Sequence, residues 1–323
     1  MKKIVIAVLS LAISQAFANP SSWVEQNNLV GEIGGWRTYA KEKVPVQALP
    51  QGSTYSLSQA IERSLSQQLD WTNYLPGSES IQNFYLLTPA QRSALQQRYT
   101  IIYETTKSYY ELVALKEKSR YMADVVDAVQ AASELTNRMQ KVGNINQLGQ
   151  LKQQKELLKT QLEMQSLQAK TKEATERFIQ RMNFDQRNLK LDVDNRLPTP
   201  PKDARKLNDK ERGAIDLGDI NSPATVQARS NARIAYENYL ERFQKVKTYQ
   251  TEVLPNQKKI SEENLLRYNG MLIDVFHLLE DAEDQRKTVM QYIDANTAFL
   301  IQSARLEKAL IDAQMDFSNI NAR

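Results

Sequence analysis

Apolar residues recur at three- and four-residue spacings over unusually long stretches, with Lys, Glu, Gln and Asp between them. That period belongs to amphipathic helices. One stripe, late in a helix that opens at Thr88-Pro89, holds Tyr121, Val125, Ala128, Ala132, Leu135, Met139 and Val142. At its start Thr88 suits an N-cap, Pro89 the first helical position, and Gln91 completes a capping box. Gly143-Asn144 can take the left-handed backbone of a helix stop. The period resumes at once through Leu148, Leu151, Leu158, Leu162, Ala169, Phe178 and Ile179. Residues 88–183 therefore read as one long antiparallel helical hairpin.

The pattern repeats further on. Ser222-Pro223 opens a third helix with a stripe of Ala235, Tyr239, Phe243, Val246, Tyr249, Val253, Ile260 and Tyr268. Pro255 lies inside it and predicts a kink. The helix stops at Asn269-Gly270, and a fourth runs from about Ile273 to Phe317. Residues 222–317 form the second hairpin, an internal duplication of the first. At 1.5 Å per residue the arms are roughly 55–80 Å long. Stripes this thin need the other hairpin, and neighbouring chains, to bury them.

The remaining segments are shorter. Residues 1–18 read as a signal peptide: Lys2 and Lys3, an apolar Ile4–Ile13, then Ala16-Phe17-Ala18 before Asn19. Residues 19–87 read as an N-terminal arm with a short helix at about 56–70, capped by Ser56 and carrying Leu57, Ile61, Leu65 and Leu69. Residues 184–221 read as a linker, given Pro198, Pro200, Pro201, Gly213 and Gly218, with a short helix near Asp209–Asp216. Residues 318–323 are a tail. The fold class is all-α, with two long helical hairpins.

Composition supports this and narrows the chemistry. The 323 residues include only 10 Gly and 10 Pro, too few turn formers for a compact α/β enzyme or a β-sandwich. Without Lys2 and Lys3, 40 basic residues face 38 acidic ones, so no charge excess argues for nucleic acid. There is no Cys and one His. Nucleophilic and zinc catalysis lack their usual parts. No catalytic residue is assigned and no cofactor is expected.

Several short runs carry a resemblance to a known family. Arg267-Tyr268-Asn269-Gly270-Met271-Leu272-Ile273, with Phe276 and Leu278-Leu279, resembles the second periplasmic tip of TolC-type outer-membrane efflux proteins. Lys141–Ile145 resembles the first tip. Tyr109-Tyr110-Glu111-Leu112, Glu252-Val253-Leu254-Pro255 and Leu57-Ser58-Gln59-Ala60 resemble further family segments. The similarity covers about 56–315. It implies a homotrimeric periplasmic duct that docks a periplasmic adaptor (membrane fusion) protein coupled to an inner-membrane pump. The wording of the second tip is most similar to heavy-metal and copper efflux members. One departure stands out. The segments where the family places transmembrane β-hairpins are too short and too charged here, so no transmembrane β-barrel is expected.

The resemblance also nominates sites. Gly143, Asn144, Asn269, Gly270 and Met271 become adaptor-contact tips. Asp274, His277 and Glu280 fall where such ducts narrow their periplasmic entrance. His277 and Asp281 lie four residues apart, hence on one helix face. His277, Glu280 and Asp281 are thus candidate metal ligands. A different class remains open: a soluble periplasmic four-helix bundle that binds a metal or another ligand.

Overall fold

The computed structural model describes residues 54–76, 87–184, 191–216 and 223–318. The expected signal peptide, most of the arm, the Ser222 cap and the tail beyond Ser318 lie outside them. The helices are α1 (Leu57–Gln68), α2 (Pro89–Lys141), α3 (Gln147–Arg181), α4 (Asp209–Asp216), α5 (Pro223–Thr248), α6 (Leu254–Asn269) and α7 (Val275–Ser318). The two-residue strands β1 (Thr54–Tyr55) and β2 (Asp192–Val193) pair in parallel. The architecture is all-α, and no closed barrel forms among the described residues. No described helix is long and apolar enough to cross a membrane.

Local chemistry sets the helix starts. At α1 and α2, Ser56 and Thr88 accept from the N–H groups of Gln59 and Gln91, whose side chains reach back to the cap N–H. Both are complete capping boxes. Asn146 caps α3 through the Gly149 N–H at 2.9 Å.

The expected kink at Pro255 is resolved as a π-helical turn. Between α5 and α6, Tyr249–Val253 are π-helical, and the Leu254 N–H reaches the Tyr249 carbonyl five residues back. Proline has no N–H to give and crowds the preceding turn. Widening that turn places Pro255 in the first turn of α6.

The four long helical arms stand in a row. Helix α2 packs on α3 along one side and on α7 along the other, and α5 and α6 pack on α7. The inner side of α3 is Leu157, Thr160, Met164, Leu167, Thr171, Ala174 and Phe178. That strict three-four alternation is a coiled-coil seam. Beyond it, Ala60, Tyr109, Leu112, Val113, Met182 and Val193 join Phe178 in a core under α1. The second hairpin has its own core of Ala232, Ala235, Tyr239, Val246, Phe299, Leu306 and Leu310. Ala114, Val289 and Ile293 bond the two hairpins together.

The expected linker includes an ordered strap. Its β2 end salt-bridges Lys116 to Asp192 at 2.5 Å. Tyr109 donates to Asp194 at 2.6 Å, and Arg120 donates to the Asn195 carbonyl. Leu197 N–H donates to Glu117 Oε2 at 3.1 Å. Asn296, on α7, donates to the Pro198 carbonyl at 3.0 Å. The strap thus ties α2 to α7.

Burial pushes Glu117 up from the ordinary carboxylate range, against the Leu197 N–H and nearby Arg120 and Arg196. Its folded pKa exceeds the unfolded one, so its charge opposes folding at neutral pH and the penalty fades as pH falls. Glu117→Gln keeps the oxygen that accepts from Leu197. The variant is expected to be at least as stable as the parent at pH 7. Its advantage should shrink on going to pH 4 in paired thermal melts. A larger advantage at pH 4 than at pH 7 would contradict this.

Candidate functional site: the two hairpin tips

Because α2 and α7 run antiparallel, both tips lie at the same end of the row. At the first tip, Gly143 has φ +80°. Its N–H donates to the Gln140 carbonyl at 3.0 Å, and the Asn144 N–H to Met139 at 2.9 Å. These two bonds make a Schellman stop. The second tip uses the same bonds, from Met271 N–H to Tyr268 at 2.9 Å and from Leu272 N–H to Arg267 at 2.8 Å. Here the left-handed residue is Met271, φ +58°, and Gly270 sits at φ −80°. The glycine therefore lies one position before the slot that needs it. Met271 is 93% exposed, and Val142 and Leu272 are exposed beside the two stops.

The tips should respond oppositely to alanine. Gly143→Ala puts a side chain into left-handed backbone and should cost about 1 kcal/mol. At Gly270 an added Cβ meets only ordinary contacts, the nearest being the Leu266 carbonyl at 3.5 Å. Gly270→Ala should stabilise by about 0.4–1 kcal/mol. Chemical denaturation of the two variants checks the sign of each.

Past the second tip, Asp274 starts α7. Its Oδ1 accepts from the N–H groups of Phe276 at 2.9 Å and His277 at 3.1 Å, and lies 2.8 Å from His277 Nδ1. Partial desolvation pushes Asp274 up, but the His277 side chain and these N–H groups outweigh it and hold the carboxyl below its usual range. That contribution is present above the unfolded pKa and is lost as pH falls below about 4.

The candidate residues do not all converge. His277 pairs with Asp274, three residues back. Asp281 faces α6 near Gln257, where burial raises its pKa and the repulsion of Asp284 adds to the rise. Glu280 is exposed. Among the described residues, no three His, Asp or Glu side chains converge as a metal site. One chain therefore does not gather His277, Glu280 and Asp281 around a common ion.

The sequence pattern did not single out one further feature. Leu148, Leu151, Leu158 and Leu162 read as a packing stripe, yet they lie on the outer side of α3. Leu158 and Leu162 are 55% and 64% exposed. At the opposite edge of the row Ile234, Ile260 and Leu266 are exposed as well. The inner seam has no continuous apolar stripe in the sequence, because Thr160 and Thr171 hold two of its positions.

No family model and no curated protein sequence matches the chain. Solved structures do. The Campylobacter jejuni CmeC outer membrane channel superposes with a TM-score of 0.54 at 10% identity, over 69% of this chain and 65% of that one. The fold is that of the TolC-type outer-membrane channels. The outer-membrane channel OprN gives a TM-score of 0.51 at 12% identity, over 80% of this chain and 71% of that one. A CusC structure, from work on folding and transmembrane channel formation, gives 0.52 at 9% identity, over 96% of each chain. These TolC-type neighbours are channels rather than enzymes. This chain spans just under two thirds of the CmeC chain.

Proposed function

We propose that the chain is the periplasmic duct component of a tripartite efflux system. In this reading three copies join edge to edge, the tips meet a periplasmic adaptor protein, and an inner-membrane pump supplies the cargo. One observation carries it: the open row of helices with an apolar, solvent-facing edge on each side. An α3 edge meeting the α5 and α6 edge of the next copy is a head-to-tail contact, which builds a ring when the rotation between copies closes and a filament when it does not. A self-contained four-helix bundle would turn those leucines inward.

Gly143, Asn144, Asn269, Gly270 and Met271 are then the adaptor contacts, at the only end where both hairpins terminate. Asp274, His277 and Glu280 follow the second tip and would form rings at the duct entrance. Heavy metal, copper first, is the proposed cargo. Its support is the wording of Arg267–Ile273, and its test is copper sensitivity of a deletion strain. An outer-membrane-associated periplasmic location goes with the same reading, after export on the expected signal peptide.

The deciding experiment is light scattering on the purified full chain. A trimer is expected, and a monomer at tens of micromolar would overturn the duct reading in favour of a soluble binding protein.

A further inference from the structure

A cleft opens where three helices meet. The end of α1, the early turns of α2 and the last turn of α3 line a cavity of about 300 Å³. That is the lower end of the range for small-molecule sites. Its rim is held in place. The Arg181 carbonyl, at the end of α3, accepts from Ser64 Oγ at 3.3 Å and from Gln68 Nε2. The Gln68 carbonyl accepts in turn from Gln97 Nε2, on α2, at 2.7 Å. Arg63 Nε donates to the neighbouring Met182 carbonyl at 3.2 Å, so α1 is pinned to the end of α3.

Two features of the lining point to a ligand. The first is an ion pair between α2 and α3. Arg181 Nη2 lies 3.0 Å from Glu104 Oε2, and both side chains are partly open to water. Neither side chain makes another hydrogen bond among the described residues. Glu104 thus keeps a free oxygen and Arg181 free N–H groups. The second is Thr105, which lines the cavity beside Glu104. It is 1% exposed, and its hydroxyl has no hydrogen-bond partner among the described residues. A helical threonine commonly donates to the carbonyl four residues back. Thr100, Thr136 and Thr171 do so at 2.8 Å, whereas Thr105 does not. A buried hydroxyl left unmatched is costly.

We infer that this cleft binds a small neutral polyol, the size of a single sugar ring. The ion pair sets the charge of the ligand. An anion approaching Arg181 meets Glu104, and a cation approaching Glu104 meets Arg181, so either must break the pair. A hydroxyl both donates and accepts. Adjacent hydroxyls can therefore donate to the carboxylate and accept from the guanidinium with the pair intact. A further hydroxyl satisfies Thr105. The buried Ile101 side chain, also in the lining, meets the C–H face of a ring. The cleft lies within one chain, so a failed trimer test would leave its binding untouched.

The test is saturation-transfer NMR on the full chain, with D-glucose and myo-inositol as probes and acetate and ethylammonium as charged comparators. Both polyols should bind, and the charged pair should not. Thr105→Val keeps the shape of the side chain and removes its hydroxyl. It should weaken polyol binding about ten-fold, the effect of losing one buried hydrogen bond. Its melting temperature without ligand should equal or exceed that of the parent, because no existing bond is lost. Three results would each overturn the inference: no saturation transfer to either polyol, acetate or ethylammonium binding as well as the polyols, or a Thr105→Val chain that binds them as tightly as the parent.

Discussion

Replacing Leu158 and Leu162 together by Asp should abolish self-association while leaving the melting temperature of the chain nearly unchanged. Ordinarily Leu-to-Asp substitutions on the packed face of a helix would unfold it. These two point outward, however, and α3 is held by the opposite seam, where Leu157, Met164 and Leu167 pack against Met122, Val125 and Val129. Surface substitutions away from core features usually fall within about 0.5 kcal/mol. In a ring the same positions become buried, and an unpaired carboxylate there costs several kcal/mol per interface. Sedimentation velocity and thermal melts on one preparation separate the effects. Loss of stability without change in mass would place the leucines in the fold and not in an interface.

Phe178→Ala should produce the largest loss of stability of any substitution considered, about 3–5 kcal/mol. The ring is fully buried and sits 5.7 Å from Tyr109 at 64°, edge to face. Tyr109 in turn binds Asp194 and the Tyr55 carbonyl. Removing the ring therefore opens a cavity beneath β1, β2 and α1 at once. Hydrogen exchange should show loss of protection in α1, the end of α3 and the strap before the second hairpin responds, since that hairpin keeps its own core. Uniform loss over the whole chain would mean that the two hairpins unfold as one unit.

Local grammar made much of this architecture readable. Ser56 with Gln59, and Thr88 with Pro89 and Gln91, announce their helices within four residues. The same holds for the first stop, where glycine occupies the left-handed slot. Long-range pairing was not readable. Strand β2 is two residues whose partner, β1, lies far earlier in the chain, and Lys116 and Tyr109, which bind Asp192 and Asp194, are likewise more than seventy positions away from them. At the second stop the glycine drew attention to itself, while the strained backbone belongs to Met271. The tip residues were legible as turns. What they touch in an assembly is written on a surface of another protein.

The π-helical turn before Pro255 has a consequence for phase. In α5 the inward residues step from Val246 to Tyr249 by three. The next inward residue is Leu254, five further on. Each residue advances a helix by about 100°, so the wide turn absorbs one extra residue and rotates everything after it. Helices α5 and α6 are joined without a break in the chain of helical turns but follow two different clocks. That offset lets Ser261 turn toward the interior while Ile260 and Leu266 stay on the rim. Deleting one residue from Tyr249–Val253 would reset the second clock and swing the whole rim of α6 to a new bearing.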